Sequence, residues 1–304
     1  YGRSKALSPS VSNMVTADAV VFTIEDWATT EDVNAPSRFY LVARDAYNGI
    51  ELWKRPMKEE WVGWQGGSIK SISTQQQRCL AAIGKTVYVC PGFGGPVTAL
   101  DSRTGAEKQV YQLTEQTTEF LIEGNILYGI KGAPYRVGKS NVAGTVELYA
   151  FELDKDAMIW SKHIANDYTG GTFAVKGGRV VFHSGRGLTC LDRATGEVLW
   201  IFGRTGDFPI VTTPRLHYPW FQHAHAPQVL PGGTVLVYDN GSADQRPFSR
   251  VIEYTLDEQA RTAEVLWVYP PEDKEDRWYN FAWGDADRLA NGNTLITSGS
   301  VVPQ

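Results

Sequence analysis

Runs of four to eight residues that alternate apolar and polar positions recur along the whole chain, broken by clusters of Gly, Asn, Asp and Pro. Alternation of period two marks a strand with one buried face, and such punctuation marks turns. Helical periodicity is nearly absent. The runs pair into hairpins over Met14–Glu25, Arg78–Cys90, Glu119–Lys131, Thr172–His183 and His225–Asp239, with a last one at Asp285–Ser298. Each of the first five is followed by a second hairpin, in which an apolar run ends in Asp, turns, and continues to an aromatic or apolar residue. Its versions read DAYNGIELW (Asp45–Trp53), DSRTGAEKQV (Asp101–Val110), DKDAMIW (Asp154–Trp160), DRATGEVLW (Asp192–Trp200) and DEQARTAEVLW (Asp257–Trp267). Asp suits capping of its own turn and Gly suits positive φ. The Trp has a broad surface to bury against a neighbouring unit.

Four strands per repeat, at a spacing of about 40 to 60 residues, is the signature of β-propeller blades. The predicted fold is therefore all-β: a propeller of four-stranded antiparallel blades, five complete and the first half of a sixth. Residues 1–304 are read as one propeller domain, in two styles that meet at 202/203. The chain opens at Tyr1 and ends soon after the last predicted strand, so it reads as a fragment, truncated at both ends, whose targeting segments are not in view.

Composition narrows the partners. The 304 residues carry a net charge of −5, and no basic run exceeds two residues. That argues against a nucleic-acid or anionic-membrane partner. No apolar run approaches the roughly 18 residues of a membrane span. Cys79 and Cys90 flank a predicted turn and fall opposite one another, as a cross-strand disulfide or as two buried thiols. Cys190 sits in an apolar strand and is read as core.

In a propeller the first strand of each blade lines the central channel. The blade-to-blade connections open on the same face as the loops between second and third strands. This connectivity gathers His223 and His225, at the start of the first strand of blade five, with His183 and Arg186 after the second strand of blade four. Asp239, Asn240 and Arg250 follow the second strand of blade five, and Arg204 and His217 lie in the long link between these blades. Aligned on their turns, the blades place His225 level with Gln77, Thr117, Gly170 and Gly284, so small residues at two positions leave room for an imidazole. Imidazole can be nucleophile, base or metal ligand, and guanidinium groups suit tetrahedral oxyanions. The pair also has plainer readings, as polar strand residues bonded to loops, or as a zinc or copper site with His183 or Asp239. No Cys cluster and no third ligand at fixed spacing supports the metal, so no metal and no cofactor is expected. His163 reads as a surface residue and His217 as a loop-packing one.

Two resemblances rest on particular stretches. VARDAYNGIELWKRPM, PVTALDSRTG and LTCLDRATGEVLW resemble the PQQ-like (quinoprotein-type) repeat. HAPQVLPGGTVLVYDNG, PFSRVIEYTLD, EVLWVYPPE and GDADRLANGNTLITSG resemble the arylsulfate sulfotransferase family, itself a six-bladed propeller, over the last third of the chain. The second resemblance implies transfer of a sulfuryl group from a small phenolic sulfate donor to a phenol acceptor, through a sulfohistidine and without a nucleotide donor. It implies His225 as the nucleophile, His223 as the alternative, and His183 as an acid or sulfate ligand. The family's Arg-His pair in the preceding blade reads FHSGRG here. Arg204, Arg250, Arg186 and Asn240 are the candidate substrate-binding residues. Arg204 and Arg250 enter on charge, and Arg250 also matches the family's Ser-Arg. The resemblance implies a periplasmic or extracytoplasmic location. The competing function is a non-catalytic scaffold binding protein partners on the propeller face, similar to the outer-membrane assembly propellers. A PQQ-dependent dehydrogenase ranks last, because that class has eight blades and often a vicinal Cys pair.

Overall fold

The computed structural model describes residues 10–27, 38–58, 78–92, 94–132, 146–164, 168, 170–184, 187–211, 216–271, 277–281 and 283–299, with the backbone alone of 135–137 and 140–142. Among them there is no α-helix. Blade one is β1 (Ser10–Ala17), β2 (Val20–Asp26), β3 (Phe39–Asp45) and β4 (Glu51–Pro56). Blade two is β5 (Leu80–Ile83), β6 (Thr86–Val89), β7 (Thr98–Asp101) and β8 (Glu107–Val110). Blade three begins with β9 (Thr117–Glu123) and β10 (Ile126–Lys131). A separate hairpin follows, β11 (Tyr135–Val137) with β12 (Ser140–Val142), before the blade resumes with β13 (Val146–Glu152) and β14 (Ala157–Ile164). Blade four is β15 (Ala174–Lys176), β16 (Arg179–Ser184), β17 (Gly187–Asp192) and β18 (Val198–Phe202). Blade five is β19 (Ala224–Val229), β20 (Val235–Asp239), β21 (Arg250–Asp257) and β22 (Thr262–Tyr269). β23 (Asp285–Arg288) and β24 (Thr294–Thr297) pair alone as a half-blade. The pattern of five four-stranded antiparallel sheets and a two-stranded one is the predicted set of blades. The inserted hairpin of blade three was not predicted.

Burial follows position within the blade. Central strands are covered on both faces, so β20 (VLVYD) is buried throughout and β2 nearly so. They read as continuous apolar runs. Outer strands are covered on one face and alternate, as in β4 (ELWKRP) and β14 (AMIWSKHI). The chain divides into two compact units, Tyr1–Gly185 with Cys190–Leu199, and Arg186–Thr189 with Trp200–Gln304. In the first unit β1 lies beside β5, β5 beside β9 and β9 beside β15; in the second, β19 lies beside β23. First strands of successive blades are thus neighbours within each unit.

The Asp turns explain how blades join. Asp45, Asp101 and Asp192 each accept backbone N–H bonds on Oδ1 from the residues two and three further on, at 2.9–3.2 Å. The glycine four residues on, at positive φ, donates to the Asp carbonyl at 2.9 Å in all three. The Trp53 indole of blade one lies on Gly105 of blade two and donates from Nε1 to Ser102 O at 2.9 Å. Trp160 of blade three repeats this on Gly196 of blade four, donating to Arg193 O at 2.9 Å. A Cβ on either glycine would fall 2.7 Å from the ring. Blade two has Val110 in place of Trp, and the blade-three turn it would meet has no glycine. There Asp156 itself takes positive φ.

All three cysteines are buried, and none of them forms a disulfide among the described residues. Cys79 and Cys90 are bonded through their backbones (Cys90 N–H to Cys79 O, 3.2 Å), and the Cys79 thiol donates to Thr118 O at 3.0 Å. Burial pushes the Cys79 thiol well above its ordinary pKa.

Candidate functional site

The two histidines singled out by the sequence lie in the second unit. A segment running from Leu216 to His223 leads into β19, and its residues 219–223 form a strap across the end of the blade-five sheet. Trp220 and Phe221 on this strap pack around Phe202, with ring centroids 5.4 and 5.8 Å away, and Tyr254 of β21 joins them at 5.0 Å from Phe202. The aromatic rings of the strap thus turn toward Phe202, and its exposed residue is His223.

The strap's backbone is bonded to buried polar side chains and to the turn after β20. Tyr254 Oη donates to Pro219 O (2.9 Å), and Arg250 Nη2 donates to Trp220 O (3.0 Å). Gln222 N–H donates to Asp239 Oδ1 (2.7 Å) and Gly241 N–H to Gln222 O (3.0 Å). Asn240 N–H donates to His223 O (3.3 Å). His223 ends the strap with φ +58°, a left-handed conformation uncommon for a residue bearing a side chain.

From there the chain enters β19, where Ala224 pairs with Asp239 and His225 with Tyr238. The ladder then slips by a bulge before Gln228, with Ala226 also at positive φ. The His223 and His225 rings meet with centroids 5.2 Å apart at 62°. His223 is exposed and His225 half-buried. Two adjacent imidazoles at a strand mouth can divide nucleophile and proton-transfer roles.

Residues directly opposite in an antiparallel ladder share a face. Asp239 and Arg250 therefore lie on one face of the sheet, and His225, Tyr238 and Val251 on the other. The first face carries the charged cluster. Asp239 Oδ2 accepts a hydrogen bond from Arg250 Nε (3.0 Å) and is ion-paired with Arg246 Nη2 (2.5 Å), and all three side chains are 0% exposed. Burial pushes the Arg246 guanidinium down to about 10, against the pull of Asp239. Tyr238 and Val251 pack with Ala286 of the half-blade on the other face. The space left by the missing side chain of Gly284 is occupied by the Tyr238 ring, within 2.3 Å of where a Cβ would stand. It is not vacant space beside His225.

The remaining candidates are placed as follows. Asn240 is buried, and its Nδ2 donates to Asn280 O (2.6 Å) and Trp283 O (2.8 Å), securing a second loop whose Trp283 is 64% exposed. Arg204 stands exposed on the turn after β18. His183 is on β16 in the first unit, its N–H donating to Thr172 Oγ1 at 3.1 Å. Arg186 lies outside the described residues. The structure brings His223 and His225 together and ties both Asn240 and Arg250 to the backbone of their segment. Arg250 is a buried anchor in this arrangement rather than an exposed clamp. Among the described residues no group of three or more His, Cys, Asp or Glu side chains is placed to hold a metal ion.

Tyr254, which bonds to the strap, and Arg246, which pairs with Asp239, were not among the sequence candidates. Arg246 lies seven residues beyond Asp239 and reads as a loop charge, and Tyr254 reads as an ordinary apolar strand position.

With the geometry described, comparison with known proteins gives two overlapping matches. A family profile described as outer membrane protein assembly factor BamB matches residues 5–202, more than half of the chain. The chain belongs to this BamB-type family of PQQ-like repeats. A second profile, described as arylsulfotransferase (ASST), matches residues 179–304, which contain the strap, both histidines and the half-blade. Among solved structures, BamB from Moraxella catarrhalis is 14% identical, covering 94% of this chain and 68% of that one, with a TM-score of 0.51. This likeness shows the propeller fold. A europium-containing methanol dehydrogenase is also 14% identical over 95% of this chain and 62% of that one, at a TM-score of 0.43. Comparison with curated proteins found no match.

Proposed function

We propose that blade five carries a sulfuryl-transfer site of arylsulfotransferase type, with His225 as nucleophile and His223 as its neighbouring base or alternative. The observation that carries this reading is the contact of the two imidazoles at 5.2 Å, within the stretch matched by the arylsulfotransferase profile. An imidazole nitrogen attacks sulfur, the N–S bond forms as the S–O(aryl) bond breaks, and the phenolate leaves. An acceptor phenol then attacks the same sulfur, its proton passes to a base, and the neutral imidazole is restored. No nucleotide, metal or other cofactor enters this scheme. Arg204 is an exposed cation of the same unit available to a sulfate ester, and Asn240 is a further candidate there. An extracytoplasmic location accords with both family matches.

Release of chromophore from a chromogenic aryl sulfate, dependent on added phenol and not on nucleotide sulfate, tests the reading. His225→Ala is expected to lower release by at least 100-fold while the chain stays folded, as for loss of a covalent nucleophile. Silence of the wild-type chain toward a panel of aryl sulfates would count against it.

The second reading is a protein-binding scaffold, favoured by the match of residues 5–202 to an assembly-factor profile. It predicts retention of a partner in pull-down by a chain carrying His225→Ala, and no turnover by either form.

A further inference from the structure

Asp239 and the two arginines raise a question that the proposed chemistry leaves unanswered. Three ionised side chains without exposed surface are costly to desolvate, and two guanidinium groups share one carboxylate. Such a cluster is a poor way to stabilise a sheet, since apolar residues of similar volume do as well or better. Its contacts show what it does hold. Arg250 bonds to the carbonyl of Trp220, Asp239 to the amide of Gln222, and the next residue, Asn240, to the carbonyl of His223. With the bond from Gly241 N–H to Gln222 O, four consecutive peptide units before β19 are therefore bonded by residues 250, 239, 241 and 240. The last of them carries the carbonyl of His223, whose backbone is left-handed. A conformation of this kind persists only where its surroundings over-determine it. Arg246 is ion-paired with the same carboxylate oxygen and is itself held through Nη1 by Phe248 O, so it adds to the fixation of Asp239.

We infer that Asp239, Arg250 and Arg246 are positioning residues for the imidazole pair: they hold the strap Pro219–His223 so that the His223 ring is delivered against His225. The inference rests on the reading of His223 and His225 as the reacting pair, but its geometric content can be tested without turnover. The cluster acts through backbone and never meets the substrate, because it lies on the sheet face opposite His225. Loss of Asp239 frees the Gln222 amide and removes the common partner of both arginines, and the strained φ of His223 is expected to relax. The His223 ring then leaves its 5.2 Å contact.

The test uses the full chain with 15N-labelled histidine. Two variants are compared with the wild type: Asp239→Leu combined with Arg250→Met and Arg246→Met, which replaces the whole ionic cluster by apolar side chains, and Tyr254→Phe, which removes one strap bond and keeps the cluster. Thermal unfolding reports the fold, and imidazole 15N shifts report the histidines. The triple variant is expected to move the His223 and His225 signals by at least 1 ppm while His163, exposed on β14, stays unchanged; Tyr254→Phe moves them in the same direction by less. If the triple variant does not fold, Arg250→Met alone, which removes the cluster's bond to the Trp220 carbonyl and leaves Asp239 paired with Arg246, decides. His223 and His225 signals coincident with wild type in a folded variant overturn the inference. Where the wild type turns over an aryl sulfate, the folded variants are expected to lose at least tenfold in kcat with KM within about twofold; an equal loss in both would overturn it. A wild-type chain that is silent in that assay defeats the proposed reaction, and the imidazole signals still judge the positioning role.

Discussion

Glu119 shows how much a single residue can depend on its surroundings. Its side chain has no exposed surface at the start of β9, where Tyr168 Oη (2.8 Å), Gly171 N–H (3.0 Å) and Arg78 Nη1 (3.3 Å) all donate to it. Burial is the largest influence and outweighs these donors, so its pKa lies above the ordinary carboxylate value of 4.5. A carboxyl group that holds its proton more tightly when folded gains stability as the pH falls. The gain is absent above the raised folded value, grows below it, and is complete below the ordinary value. Each pH unit by which the folded value is raised is worth about 1.4 kcal/mol at the acid end. Glu119→Gln has no proton to bind there. Urea unfolding of both proteins from neutral pH to about 4.5 is expected to show wild type gaining on the variant as the pH drops. A gap that is constant or narrows toward acid would refute the assignment. None of this was legible in the sequence, where Glu119 is one charge in TTEFLIE and its donors lie 41 to 52 residues away.

At the scale of elements much more was legible, because hairpins are local. The Asp turns and the Trp that follows them are separated by a few residues, and their roles follow from turn chemistry and surface area alone. The bulge after His225 was not legible: HAPQV reads as an uninterrupted strand, and only the pairing to β20 shows the slip. The ladder's assignment of Arg250 and His225 to opposite faces was hidden for the same reason, since register belongs to pairs of strands. The three turns of one form allow a controlled comparison. Gly49, Gly105 and Gly196 share φ near +70°, but only Gly105 and Gly196 carry a tryptophan ring against the missing Cβ. Alanine at Gly49 faces open space and is expected to cost only the left-handed backbone, about 1 kcal/mol. At Gly105 or Gly196 it must also displace the indole of the preceding blade, adding about 1–3 kcal/mol. Denaturant midpoints of the three single variants measure this, and equal losses at all three would show that the docked ring contributes nothing.

For the molecule as a whole, the two family matches overlap over residues 179–202, on strands β16 to β18 of blade four. The change of repeat style read from sequence at 202/203 falls at the end of β18. Phe202, the last residue of the assembly-factor match, is fully buried and its ring meets Phe208, Trp220, Phe221 and Tyr254 at 5.0–6.1 Å. The strap that leads to the histidines is thus seated on a residue supplied by blade four. Trp200, two residues earlier, has no glycine turn to dock on, because the blade-five turn reads DEQARTA; it packs edge-on against Phe208 at 5.7 Å, and its buried Nε1 has no hydrogen-bond partner among the described residues. Aromatic packing has replaced the indole-on-glycine joint between these two blades. Truncating a buried Phe with this many ring neighbours costs about 3–5 kcal/mol. Phe202→Ala is accordingly expected to lower the unfolding free energy of the full chain by that amount. A fragment of residues 203–304, which keeps every strand of blade five and lacks this ring, is expected to show no cooperative thermal transition by circular dichroism. A fragment that melts cooperatively would establish that the strap and the blade-five sheet fold without blade four, against the reading of residues 1–304 as one propeller domain.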